Sequence, residues 1–562
     1  MAYKKKLSEI GLDGVTKVDD LYPAEQGLVA AVRIGKPYAP PGFELKTVPE
    51  AATDDNRVRP ALIRHLLQGG CDDAPIGERG LDAAGLWIDG PLNLRLIRSD
   101  HRLGLFHCRM EDGIDLDDAQ LYAVNLHGSQ IGTLRAQRLI LKSNFFAQNT
   151  VVTEQVSLMA ARIGGQLSCV GAEFKNGLIG QAMQIGSDCL LREGFKAGGL
   201  VDLNGSQIGG QLNCGNGHFE ARLTGHRMQI GGSCFLRGGF TAKGDVDLTG
   251  SAIGGQLNCR DAEMHGIVNF PNVTVGTDFI LECKIPPKAL SVDNMSCRAL
   301  WDRPADWPEG MTFNLTGFTY DGFGQTSMRL TDRLRWVACS LDFGSWDEKT
   351  EAYRFSPKPY TQLAQVYSRE GRRYQANQVL AAREWAIAVS QNNAAYEAHD
   401  GTWKPAWRSL IADVKYYFAL FAHVFFGSGY NAFRPVGIAT GMVLVSWIFF
   451  HQSFEAGSIL PRSDIVLNSP SWETLDGDVH KWIKTRVGQD YVTFRPALYA
   501  FDLLIPLDTL DQEEAWNSAY NRGRYGWIGH RFELILQVSG WLLTAFLAAF
   551  LTGLIGRRGE RD

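Results

Sequence analysis

The chain has 562 residues, a formal net charge of −5, 61 glycines and 10 cysteines. This length allows several domains, and the mild negative charge argues against a large basic surface for nucleic acid. The cysteines lack the spacing of a disulfide framework, which favours a reducing compartment for the part that carries them. Residues 1–14 contain three consecutive lysines but no apolar stretch, so we expect no secretory signal there.

The N-terminal segment, residues 1–80, precedes the repetitive part of the chain. Pro37, Pro40 and Pro41 predict an irregular segment over residues 1–58. Residues 60–67 are amphipathic and begin with proline, which predicts a short helix. A helix directly before a repeat array is the usual way to cover its open end, so residues 59–80 are predicted to form a capping helix.

One phrase organises residues 81–345. The stretch Ile163–Cys169, Ile-Gly-Gly-Gln-Leu-Ser-Cys, returns as Ile208–Cys214 and Ile253–Cys259 at intervals of 45 residues. A weaker phrase begins at Ile185 and Ile230, so the true step is half of that interval, roughly 22–23 residues. A fixed short period indicates one structural unit stacked on itself.

Alternating apolar residues such as Val201 and Leu203 before each phrase predict short strands. The Gly pairs are expected to turn the corners, because glycine adopts positive φ without steric cost. We therefore predict a right-handed parallel β-solenoid with two or three strands per coil. A helical repeat is disfavoured, since glycine costs a helix roughly 1 kcal/mol per residue.

Five cysteines recur with the repeat: Cys169, Cys189, Cys214, Cys234 and Cys259. They are predicted to stack as one inward ladder in a dry core. The alternative is a metal site, but no Cys-x-x-Cys pair exists and ligands one coil apart would form a line instead of a tetrahedron.

The pattern loosens after the last strong phrase. Trp301 and Trp307 suggest a subdomain that closes the solenoid by about residue 345. Residues 350–400 change to a helical period, with two predicted helices joined at Gly371, and resemble one tetratricopeptide-type helix pair. A single pair cannot form its own solenoid, so we expect it to connect the neighbouring domains; a peptide-binding groove is the alternative.

Residues 405–562 are predicted to form a membrane domain. Two apolar stretches reach the roughly 20 residues that a bilayer core requires, at about 436–456 and 534–555. The run from Ile411 to Phe426 is shorter and is expected to lie at the interface, although spanning stays open. Basic residues before the first span and after the second predict that both ends lie in the cytosol.

The residues just described resemble a family of bacterial membrane-anchored proteins related to pentapeptide-repeat proteins. The resemblance rests on the Ile-Gly-Gly-x-Leu-x-Cys coils, on Phe355-x-Pro-x-Pro-Tyr360, and on Pro496–Pro506 before Gly540-Trp541. It covers most of the chain from about residue 59. The step departs from the four times five of that family, so the coil is expected to deviate from a square. Such relatives often carry the label membrane-associated oxidoreductase, yet no dinucleotide, flavin or haem motif occurs in this sequence.

The stretch from Phe494 to Leu510, between the two predicted spans, is the strongest candidate site. Pro496 suits a helix start, and about ten apolar residues cannot cross a bilayer but can re-enter one. Carboxylates in such a segment select cations. The predicted pore or re-entrant residues are Tyr499, Asp502, Pro506, Asp508 and Asp511. The alternative is an amphipathic helix on the outer membrane surface.

No other stretch carries recognisable chemistry. Asp112, Asp115, Asp117 and Asp118 cluster as calcium ligands do, but the middle two alternate with apolar residues and are expected to face solvent. No nucleophile elbow or P-loop occurs. We therefore predict no catalytic residue, no cofactor and no metal site.

Three functional hypotheses follow. The first is a non-enzymatic scaffold in a bacterial inner membrane, with a cytosolic solenoid that binds a protein partner. The second is an oligomeric cation channel whose pore is gated by the solenoid. The third is a solenoid enzyme that acts on a polymeric substrate. The expected partners are the lipid bilayer, a protein on the solenoid and further copies of the chain; no nucleic acid is expected.

Overall fold

The structure is a computed structural model that describes residues 5–44, 46–303, 307, 311–324, 329–338, 340–347, 352–397, 403–431, 433–505 and 510–551. The chain forms two compact units, Met1–Gly371 and Arg372–Asp562. The first unit is a parallel β-solenoid of about 11 coils, and the second consists mainly of helices. The predicted solenoid fold is therefore confirmed.

Each central coil contains four short strands, which form four faces of the solenoid. Faces 1 and 2 share the long strand Ser296–Asp302. Face 1 consists of Gln120–Leu121, Ile140–Leu141, Arg162–Ile163, Gln184–Ile185, Gln207–Ile208, Gln229–Ile230, Ala252–Ile253, Thr274–Val275, Ser296–Asp302 and Thr319–Phe323. Face 2 consists of Leu81–Ala84, Leu103–Phe106, Val124–Asn125, Phe145–Phe146, Leu167–Ser168, Cys189–Leu190, Leu212–Asn213, Cys234–Phe235, Leu257–Asn258 and Asp278–Leu281.

The other two faces are separate parallel sheets. Face 3 consists of Arg57–Val58, Trp87–Ile88, Arg109–Met110, Gln130–Ile131, Val151–Val152, Glu173–Phe174, Lys196–Ala197, His218–Phe219, Thr241–Ala242 and Glu263–Met264. Face 4 consists of Leu92–Asn93, Ile114–Asp115, Leu134–Arg135, Val156–Ser157, Leu178–Ile179, Val201–Asp202, Leu223–Thr224, Val246–Asp247, Ile267–Asn269, Ala289–Ser291 and Thr312–Asn314.

The register confirms the predicted step. Gln184 lies opposite Gln207, which lies opposite Gln229, so equivalent positions in successive coils recur at the alternating step that the sequence indicates. The prediction of two or three strands per coil was wrong. Most strands have only two residues and are followed by a short corner, so four such segments fit into one step.

The Gly pairs have a different role from the predicted one. Neither glycine of the pair Gly209–Gly210 has a positive φ. The left-handed corners are instead formed by residues such as Ala182, Asn216 and Arg227, with φ of 54–56°. A Cβ on Gly209 would lie closer than 3.0 Å to the carbonyl oxygen of Gly186 in the preceding coil. Glycine is therefore required by the close approach of stacked coils.

In the three strong phrases the second glycine, at positions 165, 210 and 255, makes room for a polar side chain of the preceding coil. The Oδ1 atom of Asp188 occupies the space that a Cβ on Gly210 would need, and it accepts a hydrogen bond from the backbone N–H of Gln211 at 2.9 Å. Asn144 does the same for Gln166 at 2.8 Å. This pairing explains why Gly-Gly coils alternate with coils that carry Asn, Asp or Ser at the same corner.

The thiols point into the core, as predicted, but they do not form one ladder. Cys189 lies opposite Leu167 and Leu212, whereas Cys169 follows two residues after Leu167. In consecutive coils, Leu and Cys thus exchange places. Burial raises the pKa of the Cys189 and Cys234 thiols to about 12, so they remain protonated and unreactive.

Phenylalanine and alanine exchange places in the same way along face 3. Phe174 lies opposite Ala197, and Phe219 lies opposite Ala242. Phe195 fills the intervening level, with its ring centroid 5.4 Å from Phe174 and 5.6 Å from Phe219. A large residue therefore stacks on a small one in each column, which packs the core without voids. This two-coil alternation is the physical origin of the longer sequence period, which spans two coils.

We expect that exchanging Leu212 and Cys214 within one coil destabilises the solenoid by about 1–3 kcal/mol, although the composition stays the same. The exchange would place a leucine between two leucines of the adjacent coils and a cysteine between two cysteines. One column would then contain too much side-chain volume and the other too little. The urea concentration at the midpoint of unfolding, measured by maleimide labelling of the buried thiols, should fall. A matched exchange of the exposed pair Gln229 and Arg227 should leave the midpoint unchanged; an unchanged midpoint for the core exchange would contradict the alternation.

Helices cover both ends of the solenoid. Before it lie α1 (Pro23–Arg33) and the predicted capping helix α2 (Pro60–Leu67), together with short 3-10 turns at Leu7–Glu9 and Val18–Asp20. Helix α1 was not predicted, and it lies in the segment expected to be irregular. Its buried Glu25 accepts hydrogen bonds from the Arg59 guanidinium at 2.6 and 2.9 Å. Glu25 lies among the buried residues of α1, so its charge interrupts the apolar pattern from which a helix would have been predicted.

After the last coils lie α3 (Leu330–Ala338), an antiparallel pair formed by Leu341–Asp347 and Ala352–Phe355, and α4 (Lys358–Arg369). Arg333 of α3 forms a two-pronged ion pair with Asp302 at 2.6 and 2.8 Å, and both side chains are almost completely buried. The Arg333 guanidinium also lies 4.1 Å from the Phe323 ring centroid. This ion pair links α3 to the end of the solenoid.

The second unit begins with α5 (Arg373–Glu397), α6 (Trp403–Phe426) and a 3-10 turn at Gly427–Gly429. It continues with α7 (Phe433–Glu455), the four-residue helices α8 (Asp464–Leu467), α9 (Pro470–Glu473), α10 (Val479–Trp482) and α11 (Arg486–Gln489), and then α12 (Pro496–Leu504), α13 (Gln512–Ala515) and α14 (Gly523–Leu551). The strands Ile459–Pro461 and Trp516–Ser518 pair antiparallel.

Three stretches within these helices are long and apolar enough to cross a membrane, judged by length and composition: Leu410–Gly429, Phe433–Glu455 and Gly523–Ala548. Only two spans were predicted from the sequence, at about 436–456 and 534–555. The additional candidate belongs to α6, where the helix and its following turn extend the short apolar run to 20 residues.

Candidate functional sites

A groove runs along the corner that follows face 1 of the solenoid. It has a volume of about 840 Å³ and extends from Leu141 to Gly276. Its floor consists of the glycines that the stacking requires: Gly164, Gly186, Gly209, Gly231, Gly254 and Gly276. The lining spans seven successive coils, and six steps of about 4.8 Å give the groove a length of roughly 29 Å. The same glycines that let the coils stack therefore leave an open channel on the surface.

The wall of this groove is a row of exposed, mostly uncharged side chains. Gln184, Gln207 and Gln229 occupy equivalent positions in consecutive coils, and Arg162 stands at one end. Each primary amide offers two donors and an acceptor. Among the described residues that line the groove, Arg162 alone carries a charge and no carboxylate or imidazole is present. This lining can bind a polar chain but has no acid–base pair.

A second cleft of about 450 Å³ shares Gly276 with the groove and reaches α4. Gln362 of α4 donates a hydrogen bond to the Tyr320 carbonyl at 2.6 Å, and Arg369 pairs with Asp321 at 3.2 Å. The groove thus ends against a helix that is fixed to the last coils.

The predicted re-entrant residues fall into three groups. Tyr499 and Asp502 lie on α12 and are buried, with 1% and 4% of their surfaces exposed. Asp511 precedes α13 in a left-handed conformation (φ 54°) and is exposed. Pro506 and Asp508 lie outside the described residues. The structure therefore brings two of the five residues together in the interior.

Helix α12 packs beside two of the candidate spans. The Tyr499 ring lies 4.9 Å from that of Phe450 on α7. On α14, Tyr499 contacts Glu533, whereas the carbonyl of Leu504 fills the space above Gly540. Residue numbers rise together along α12 and α14, so the two helices run in the same direction. The carboxyl end of α12 thus lies beside the apolar part of α14.

Two buried carboxylates accept hydrogen bonds from uncharged donors, and the His530 Nδ1 atom also lies 3.9 Å from Glu533 Oε2. The Tyr499 hydroxyl donates to Glu533 Oε1 at 2.7 Å, and the Ser518 backbone N–H donates to the same atom at 2.9 Å. Asp502 Oδ2 accepts two backbone N–H bonds at 3.0 Å, from Gln512 and Glu513. Glu533 was missed by sequence reasoning, although an acidic residue directly before the apolar run of α14 was a usable signal.

The acidic cluster on face 4 has a structural role. Asp115 Oδ1 accepts the N–H of Asp117 at 2.9 Å, Asp117 accepts the N–H of Gln137 at 2.7 Å, and Asp118 pairs with Arg138 at 2.6 Å. These are turn-closing contacts that recur in other coils. Within the described ranges, no group of three or more His, Cys, Asp or Glu side chains is arranged to hold a metal ion.

Comparison with known proteins finds no family model, no curated protein and no solved structure that matches the chain. The solenoid is consistent with a pentapeptide-repeat-like fold.

Proposed function

We propose that this protein is a non-enzymatic membrane scaffold whose solenoid groove binds an extended segment of a partner protein. The observation that carries the proposal is the groove of about 840 Å³ along seven successive coils, lined by the amides of Gln184, Gln207 and Gln229. An extended polypeptide matches a straight channel, and its backbone N–H and C=O groups pair with primary amides. The apolar helices of the second unit support attachment to a membrane.

Cellular placement and assembly are part of the same proposal. The solenoid faces the cytosol of a bacterial cell, the helices lie in the inner membrane, and several copies associate. Buried, protonated thiols such as Cys189 suit a reducing compartment. The lining of the groove, with one charged side chain, supports binding over catalysis.

Photo-crosslinking from single positions tests the groove. A benzophenone amino acid replaces Gln184, Gln207 or Gln229 in the full chain, and irradiated membranes are analysed for crosslinked products. We expect a product of the same partner mass from all three positions. The matched control is Lys196, which is exposed on face 3 of the same coil as Gln184. Equal products from Lys196, or none from the three groove positions, would refute the proposal.

A second candidate function, cation conduction by an oligomer, is favoured by α12. This helix lies beside the apolar part of α14, carries Asp502 and contacts Glu533 through Tyr499. Neither of these buried carboxylates forms an ion pair with Lys or Arg in the described part of the chain. Ionisable groups at membrane depth commonly mark ion pathways. Planar-bilayer recordings test it: a conductance whose cation selectivity falls in Asp508→Asn supports a channel, and no conductance from any oligomer ends the hypothesis.

A further inference from the structure

Helix α6 has an apolar stripe that is largely exposed and contacts α14 through Phe418, whose ring centroid lies 5.3 Å from that of Phe546. Leu410, Val414, Tyr417 and Phe418 are 53–66% exposed and lie on one face at helical spacing. Val424 continues the same stripe and is 52% exposed. The opposite face of α6 is occupied by protein. The stripe is therefore a surface of one helix face and not an apolar band around the whole helix.

Helix α5 covers that opposite face in antiparallel orientation. The Asn377 side chain donates to the Tyr430 carbonyl at 3.3 Å, and the Ser428 hydroxyl donates to the Ala381 carbonyl at 3.3 Å. One to two turns further along, the Trp385 ring stacks on His423 at 5.3 Å. The two helices thus run side by side, so any depth that α6 reaches is shared by α5.

Helix α5 is too polar to cross a bilayer with its neighbour. Its least polar stretch lies between Gln378 and Gln391, which is about 18 Å of helix, whereas a hydrocarbon core is about 30 Å thick. Arg383 and Glu384 form an ion pair within that stretch. A charged side chain at the centre of a bilayer costs roughly 3 kcal/mol even on insertion scales. A crossing α6 would impose this cost on α5.

Among the described residues, the contacts of α6 with the other candidate spans involve the start of α7 and the end of α14. Arg434, at the start of α7, donates to the His423 carbonyl at 3.1 Å. The rings of Phe421 and Phe426 lie 5.2 and 4.8 Å from that of Phe546, near the end of α14. Further along α7 the space beside Gly437 and Gly441 is open. A helix that crossed beside α7 and α14 would cover these positions.

We infer that the α5–α6 pair lies in the plane of one membrane surface, with the α6 stripe in the boundary between lipid headgroups and acyl chains. The occupant of the stripe is the lipid bilayer, because α7 and α14, which contact α6 at Arg434 and Phe546, also expose apolar side chains of their own. Lys415, which is exposed, can extend its ammonium group towards the headgroups. Only α7 and α14 then cross the membrane, and the segments before α5 and after α14 lie on the same side.

Depth measurements by spin labelling test this inference on the full chain in vesicles of phosphatidylethanolamine and phosphatidylglycerol. Nitroxides on Leu410→Cys and Phe418→Cys should lie at nearly equal depth, because positions on one face of a helix that is parallel to the membrane surface have the same depth. A crossing helix would separate them by about 12 Å. The control pair Val436→Cys and Val445→Cys on α7 should differ by about 13 Å. All four positions are at least half exposed, so a label fits at each of them; at Phe418 it also removes a ring contact with Phe546.

A second measurement reads the number of crossings directly. In sealed vesicles, protease should reach tags at residues 1 and 562 from the same side if α6 lies flat, and from opposite sides if it crosses. Cleavage from opposite sides, or a depth difference between positions 410 and 418 as large as that of the α7 control pair, would overturn the inference. The inference about α6 depends on membrane insertion of α7 and α14 and does not depend on the groove. The crosslinking experiment and the depth measurement can therefore fail independently.

Discussion

Replacing Arg333 by Met is expected to destabilise the end of the solenoid by about 3–5 kcal/mol, because the buried carboxylate of Asp302 loses its cation. Both side chains are 1% exposed, so water cannot replace the lost partner. The methionine also gives up the contact of the guanidinium with the Phe323 ring. The readout is maleimide labelling of Cys297, which lies on the same strand as Asp302 and is 8% exposed. Its half-labelling urea concentration should fall.

The matched control is Arg329→Met, four residues earlier. Arg329 is 88% exposed and lies 3.7 Å from Asp332, so its loss should cost at most about 1 kcal/mol. The double variant Arg333→Met, Asp302→Leu should recover much of the stability, since it removes both charges and keeps apolar volume. If Arg333→Met labelled at the same urea concentration as the parent chain, the ion pair would not be what holds α3 to the coils.

The sequence predicted the stacked architecture because stacking is a property that a period reveals directly. Residues one step apart, such as Gln184 and Gln207, must be equivalent in any solenoid, and their register agrees. The inward direction of Cys169 and Cys214 followed from the same equivalence. These features depend on the spacing of residue types alone.

The number of faces and the role of the Gly pairs did not follow from spacing. A strand of two residues is too short to show alternation, so the four strands of a coil could not be counted in the sequence. The requirement for glycine at position 209 comes from the carbonyl of Gly186, one coil away. Local conformational preference suggested a positive φ, and an inter-coil contact decided the outcome.

In the second unit, too, the sequence revealed some features and only the packing revealed others. Hydropathy located α7 and α14, and proline chemistry located the start of α12. The partner of Tyr499 was beyond reach, because Glu533 is 34 residues away and only the packing of α12 on α14 brings them together. For α6, the apolar run in the sequence predicted an interfacial position, the helix with its following turn reaches a spanning length, and its polar neighbour α5 argues against a crossing. The inference that α6 lies flat therefore rests on tertiary context, which the sequence does not reveal.

Substituting Gly209 by Ala is expected to destabilise the solenoid by about 1–3 kcal/mol or more, because the new Cβ would lie inside the contact distance of the Gly186 carbonyl oxygen. That oxygen is backbone and cannot rotate away. Relief requires the two coils to separate, and separation weakens the parallel hydrogen bonds on both sides of the corner, such as the one from the Gly209 N–H to the Ile185 carbonyl at 2.8 Å. The urea midpoint for labelling of Cys214 should therefore fall.

Gly215 supplies the matched control for this substitution. It lies further along the same coil, has no positive φ, and a Cβ there would meet its nearest atoms at 3.1 and 3.4 Å. Gly215→Ala should therefore shift the midpoint far less than Gly209→Ala, since small adjustments suffice. The two variants lose the same backbone freedom, so their difference isolates the inter-coil contact from the general effect of replacing glycine. Equal midpoints for the two would show that the glycine column is not required by stacking, and the groove above it would need another physical explanation.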